Sequence, residues 1–235
     1  MSVPYGEIMK YRGSPELPHI YDVPVYVDIK SVIRSFVGAE DNVLDFGCGK
    51  GWVYHDVLLP SGFKGKYVGI DNDPMALALA SFPIYANIQD LAKDFKAGDF
   101  DTLLMMNSIE HFQTVNEMFT VMVELNKYID GTILIQTPNS LCFDYMFVDP
   151  QHKTFFSYEA LYGLVKLLDY DKVQMYRGEG IHQIRKDRYK KEPQRYGHFP
   201  DMNEFQKKVC MAMGLDWYGN IVAIGKREPK NEQEK

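Results

Sequence analysis

The sequence predicts an α/β protein in which helices cover both sides of a mostly parallel sheet. Three observations carry that expectation. Short β-branched runs alternate with helical patterns through the central two thirds of the chain. The runs are apolar almost without interruption, as strands buried on both faces are. The first of them leads directly into a turn built on alternating glycines.

The expected strands are Asn42 to Phe46, Tyr67 to Asp71, Pro83 to Asn87, Thr102 to Met106 and Thr132 to Gln136, followed by Lys172 to Arg177 and Asn220 to Gly225. Thr114 to Ile129 reads as a helix, because Val115, Met118, Phe119, Met122, Leu125 and Ile129 recur at helical spacing. Its methionines belong to the core. Ser157 is placed to cap a second helix over Tyr158 to Leu168, with Glu159 favourable in its first turn. Asp201 and Glu204 form a capping-box pattern that opens a third, reaching Met213.

Residues 1–40, with Tyr5, Tyr11, Tyr21 and Tyr26, precede the first strand and form an added cap. Residues 178–216 make an unusually long connection between the last two strands, read as an inserted lid. Within it, Arg185 to Arg195 holds six basic residues against two acidic ones. Residues 226–235 are charged and without apolar side chains, the composition of a disordered tail.

Composition narrows the function. A chain of 235 residues with a 46% apolar fraction supports one large domain. A net charge of −6 argues against coating by nucleic acid, though not against a local basic patch. Cys48, Cys142 and Cys210 form no CxxC pair or Cys/His spacing, so neither disulfides nor a metal is expected. No signal peptide and no membrane span is legible, and the expectation is a soluble cytoplasmic protein, monomer or homodimer.

The chemistry concentrates in Asp45-Phe46-Gly47-Cys48-Gly49-Lys50-Gly51. Glycines there let the backbone adopt positive φ and approach a ligand without an intervening Cβ. A dinucleotide site has G-x-G-x-x-G facing a pyrophosphate. Here the spacing is G-x-G-x-G, and Asp45 would repel a phosphate but pair with a cationic amino group. Asp71 ends the second strand, where an acid can accept ribose hydroxyls. Asn87 closes the third strand. Asn107-Ser108-Ile109-Glu110-His111-Phe112 follows the fourth.

In this order the motifs resemble the class I, seven-stranded S-adenosylmethionine-dependent methyltransferases, and within them the broad methyltransferase-domain group whose fourth strand ends in a Glu-His. The resemblance spans roughly residues 41–168. It implies a Rossmann-like three-layer sandwich with an antiparallel last strand, a methyltransferase domain over 41–225, and S-adenosyl-L-methionine as cofactor. It also implies that Asp45 and the backbone of Phe46, Gly47, Cys48 and Gly49, with Gly51 completing the turn, face the methionine moiety. Asp71 would bind the ribose, and Asn72, Asn87 and Ile88 would border the adenine. Asn107 and Ser108 would lie by the cofactor's amino-acid end.

Three residues are candidate catalysts. Glu110 and His111 follow the fourth strand on its ligand side. His152, in Gln151-His152-Lys153-Thr154-Phe155-Phe156, precedes a helix in a His-then-aromatic pattern that recurs in related methyltransferases. Each has a structural reading beside the catalytic one. Cys48 reads as a packing residue. The leading expectation is methyl transfer to O or N of a small-molecule acceptor. The alternatives are a nucleic-acid or protein methyltransferase using residues 185–195, and a non-catalytic module that binds the cofactor.

Overall fold

The computed structural model describes residues 19–26, 28–142, 151–180 and 218–228, together with positions 7, 10–11, 14–17 and 212–213. The basic stretch 185–195, most of the expected lid and the helix expected from Asp201 lie outside the described residues.

Among the described residues eight strands form one sheet: β1 (Val25–Tyr26), β2 (Val43–Phe46), β3 (Tyr67–Ile70), β4 (Ile84–Tyr85), β5 (Phe100–Met106), β6 (Ile129–Pro138), β7 (Lys172–Gly180) and β8 (Tyr218–Lys226). Their order is β1-β7-β8-β6-β5-β2-β3-β4. All neighbouring pairs are parallel except those of β8, which runs antiparallel to both β6 and β7. This is the expected Rossmann-like arrangement, with one strand more than the seven read from the sequence. The extra strand, β1, comes from the N-terminal segment. Nearby, Tyr26 occupies the space that a Cβ on Gly178 would need.

Alternation along the strands divides the apolar side chains between two cores. Leu44, Val68, Leu103, Ile133 and Ile135 join one, against α4 (Val115–Asn126) and α5 (Tyr158–Leu167). Val43, Tyr67, Leu104 and Leu134 join the other, against α1 (Ile29–Phe36) and the π-wound segment Tyr54–Leu58. Two shorter helices, α2 (Pro74–Leu79) and α3 (Ile88–Leu91), follow β3 and β4.

The helix starts are fixed by side-chain caps. Thr114 accepts from the Glu117 amide at 3.1 Å and Ser157 from the Ala160 amide at 3.3 Å, each satisfying an amide the helix itself leaves open. The helix expected to reach Ile129 ends at Asn126, and Ile129 instead begins β6, paired with Phe100. Gly131 lets β6 continue, since a Cβ there would meet the Asp101 carbonyl oxygen at 2.4 Å. Among the described residues, no helix is long and apolar enough to cross a membrane.

Candidate active site

After β2 the chain moves outward to β3 and β4, and after β5 it moves the other way to β6. Connections diverging from two adjacent parallel strands leave a crevice at their carboxyl ends, the ligand position of open α/β sheets. A cleft of about 1030 Å³ opens there. Its walls are the ends of β2 to β5, the first half of α4 and the segment around Gln151 and Lys153.

The glycine turn closes one wall. Gly47, Gly49 and Gly51 have φ of +73°, +51° and +77°. A Cβ on Gly47 would stand 2.5 Å from the Ser108 Cβ, and one on Gly51 would stand 2.2 Å from the Phe82 ring. At Gly49 nothing lies within 4 Å. The outer two glycines therefore permit close packing, and the middle one leaves open space. Cys48 is buried against Gly69. Burial, and then the neighbouring Asp45 and Asp71, push its thiol far above the usual range. It is a packing residue rather than a nucleophile.

Asp45 lies beneath the turn rather than at the cleft wall. It is 1% exposed, and one carboxylate oxygen accepts from the Tyr67 hydroxyl. The other, Oδ1, is buried without a hydrogen-bond partner. Burial raises its pKa from 3.8 to about 7, against the lowering effect of Tyr67. Asp71 does reach the wall. Its two oxygens accept from the amides of Gly49 and Asp73, both at 2.8 Å, so one carboxylate ties the end of β3 to the glycine turn. Each oxygen keeps a further lone pair for a ligand.

Asn72, Asn87 and Ile88 line the far end of the cleft. Asn87 also caps α3, accepting from the Asp90 amide at 2.9 Å and donating to the Asp90 carboxylate at 2.9 Å. Across the cleft, Asn107 takes a positive φ of +52°. Its amide donates to the Gln136 carbonyl at 2.8 Å, and its side-chain oxygen accepts from Gln136 at 3.2 Å. Ser108 is buried against the turn, and its hydroxyl has no partner.

The three candidate catalysts come together from two segments. The amides of Lys153 and Thr154 donate to the Glu110 carbonyl at 2.7 and 3.1 Å, and the Thr154 hydroxyl donates to the Ile109 carbonyl at 2.8 Å. This stitching brings the His111 and His152 rings into an edge contact, centroids 5.2 Å apart. His111 lines the cleft, as do both sequence neighbours of His152. Glu110 is buried beside them and accepts from the Thr137 hydroxyl at 3.2 Å.

Several wall residues were not singled out from sequence. Phe112 stacks on Phe46 with centroids 5.9 Å apart and planes 8° from parallel, giving the cleft an aromatic floor. Glu117 and Val121 lie one turn apart on α4, a spacing that could have marked them as sharing a face once the cleft side of α4 was known. Gln113, Gln151 and Lys153 complete this side.

The lining suits a nucleoside carrying an amino-acid group better than one carrying phosphates. Among the described lining residues Lys153 is the sole lysine or arginine, whereas Asp71 and Glu117 are acidic. A carboxylate at the end of β3 and an unpartnered hydroxyl at Ser108 offer what ribose and polar groups require.

Comparison with known proteins places the chain in a family. A family model described as "methyltransferase domain" matches residues 27–188. No curated protein matches. Among solved structures, an S-adenosylmethionine-dependent methyltransferase from Archaeoglobus fulgidus aligns with a TM-score of 0.62 at 18% identity, over 96% of this chain and 100% of that one. The plantazolicin methyltransferase BamL, solved with a triazolic desmethyl analogue and S-adenosylhomocysteine, aligns with a TM-score of 0.53 at 15% identity, over 96% and 91% of the two chains. An RNA repair complex of Pnkp1, Rnl and Hen1 aligns with a TM-score of 0.54 at 16% identity, over 85% of this chain and 41% of that one. This chain belongs to the methyltransferase-domain family, and its fold is that of the S-adenosylmethionine-dependent methyltransferases.

Proposed function

We propose that the enzyme transfers a methyl group from S-adenosylmethionine to an oxygen or nitrogen of a small-molecule acceptor held in the cleft. The observation that carries the acceptor class is the cleft itself. The part of it not assigned to the cofactor is bordered by His111, Phe112, Gln113, Glu117 and Val121, with Lys153 the one lysine or arginine among the described lining residues. Among the described residues a polyanion would meet no line of cations there, whereas nucleic-acid binding depends on neutralising several phosphates.

Bound S-adenosylmethionine supplies a methyl group already activated on a sulfonium. The protein's part is to align an acceptor lone pair with that methyl and to exclude water, effects worth several kcal/mol or more. In this reading Asp71 accepts the ribose hydroxyls while bracing the turn through Gly49. Asn72, Asn87 and Ile88 border the adenine, with Asn87 also spending its amide on capping α3. The backbone of Phe46 to Gly49 and the Asn107–Ser108 edge hold the methionine end. Asp45 acts from beneath the turn, as a positioning residue. Glu110, His111 and His152 lie on the acceptor side, where a base contributes about 10²- to 10⁴-fold if the acceptor must lose its proton early.

The test is a panel of phenols, amines, carboxylates and thiols beside RNA oligonucleotides and peptides, each with S-adenosylmethionine, read as S-adenosylhomocysteine release. Turnover on a small O- or N-acceptor is expected. Turnover confined to the oligonucleotides or peptides would overturn the acceptor assignment and leave the methyltransferase intact.

A further inference from the structure

We propose that Glu110, His111 and His152 form a divalent transition-metal site at the acceptor end of the cleft. One donor atom from each of the three lies within 4.8 Å of the others. Donor atoms about 2.1 Å from one ion stand roughly 3–4 Å apart, so closing on an ion takes a movement of about 1 Å per side chain or less. Spacing in the sequence concealed the group, since its members come from positions 110, 111 and 152 and include no cysteine.

The surroundings are those of a preorganised centre. The Glu110 carboxylate is buried and oriented by the Thr137 hydroxyl at 3.2 Å, as carboxylate ligands are by their outer partners. The two segments are pinned together by the backbone bonds to the Glu110 carbonyl. Two imidazoles and one carboxylate suit zinc, iron or manganese, rather than calcium or magnesium with their all-oxygen preference. Three protein ligands leave further positions open, the hallmark of a catalytic rather than structural site. His111 lines the cleft, as do Gln151 and Lys153 on either side of His152, so an ion held there would border the cleft.

The proposed role rests on the methyl-transfer reading. An acceptor hydroxyl coordinated there loses its proton to solvent more readily, because the ion stabilises the developing oxygen charge. That oxygen's lone pair then forms the bond to the methyl carbon, the carbon–sulfur bond breaks, and its electron pair stays on sulfur. The metal and its ligands are unchanged over the cycle.

The experiment is a titration of the chelator-treated 235-residue chain with Zn²⁺ against a chromophoric competitor, with Co²⁺ spectra and S-adenosylhomocysteine binding measured in parallel. One equivalent of Zn²⁺ is expected. His111→Ala and His152→Ala should each weaken it by about 100-fold or more, beyond the 10–100-fold typical of losing an outer-shell partner. Thr137→Val should fall within that outer-shell range. Bound Co²⁺ should show a visible ligand-field band without a thiolate charge-transfer band, a readout independent of whether any variant folds. S-adenosylhomocysteine binding without stoichiometric Zn²⁺ or Co²⁺ binding would overturn the metal site and leave the functional reading standing. Zn²⁺ binding without S-adenosylhomocysteine binding would do the reverse. Zn²⁺ affinity unchanged in both histidine variants would overturn the site, because the ion would then be held elsewhere.

Discussion

Replacing Asp71 by alanine separates a ligand role from a scaffold role at one residue. Its carboxylate accepts from the Gly49 and Asp73 amides. At about 1 kcal/mol for each bond, the fold should lose about 2 kcal/mol. For a domain of this size that lowers Tm by about 4–8 °C. If the same oxygens also accept two ribose hydroxyls, charge-assisted bonds of about 1.5–3 kcal/mol each are lost on binding. The dissociation constant for S-adenosylhomocysteine should then rise about 10²- to 10⁴-fold, near the lower figure because Asp71 is partly solvated. Calorimetric titration measures the second effect and thermal unfolding the first. Asp73→Ala is the matched control. It removes the cap that accepts from the Met75 amide at 3.0 Å, costing about 1 kcal/mol of stability, and its affinity should stay near wild type. An Asp71→Ala protein that is folded and binds within threefold of wild type would refute the assignment.

Three further outcomes follow from the same geometry. Gly47→Ala combines a positive φ with a Cβ 2.5 Å from Ser108 and should cost about 2–5 kcal/mol, whereas Gly49→Ala carries the backbone term alone, about 1–2 kcal/mol; equal urea midpoints for the two would contradict the packing account. Asp45 keeps its proton in the folded state up to about pH 7 while the unfolded chain gives it up near 3.8. Its contribution to stability is therefore greatest below pH 4 and declines by about 1.4 kcal/mol per unit as pH rises toward 7. Unfolding of wild type and Asp45→Asn across pH 5–7 checks this, and a difference between them that does not vary with pH would sink it. Ser157→Ala removes the cap of α5 and should destabilise the fold by about 1 kcal/mol without changing cofactor affinity; a large loss of affinity would mean that α5 is coupled to the cleft.

The parts of the fold legible in the sequence are those where burial dictates residue type. β2, β3 and β5 are covered on both faces, so Val43-Leu44, Tyr67-Val68 and Leu103-Leu104-Met105 read as strands without their neighbours. Where pairing rather than burial makes the strand, the pattern is silent. β1 is two residues long and exists through its register with Arg177 and Gly178. The first part of β6 carries Asp130 and Gly131, which break the apolar run although Ile129 pairs with Phe100 across a register shift. β4 is shorter than expected because Asn87 is recruited as the cap of α3.

The candidate site divides in the same way. The places of Gly47 and Asp71 at strand ends could be read from the sequence, because strand ends in this topology converge on one edge, while Asn107 and Ser108 are implied by the family resemblance. That Asp45 lies beneath the turn follows from strand alternation, which sends Asp45 to the Tyr67 face and Phe46 toward Phe112. The meeting of His152 with Glu110 and His111 depends on backbone hydrogen bonds between distant segments. No local pattern encodes that contact.

The most direct measurement is a crystal structure of the protein with S-adenosylhomocysteine. The account predicts the ligand in the cleft between the ends of β2 and β5, its ribose hydroxyls within hydrogen-bond distance of the Asp71 carboxylate, its adenine beside Asn87 and Ile88, and its sulfur facing the side that carries His111. A ligand bound elsewhere, or one whose ribose leaves Asp71 without contact, would contradict it.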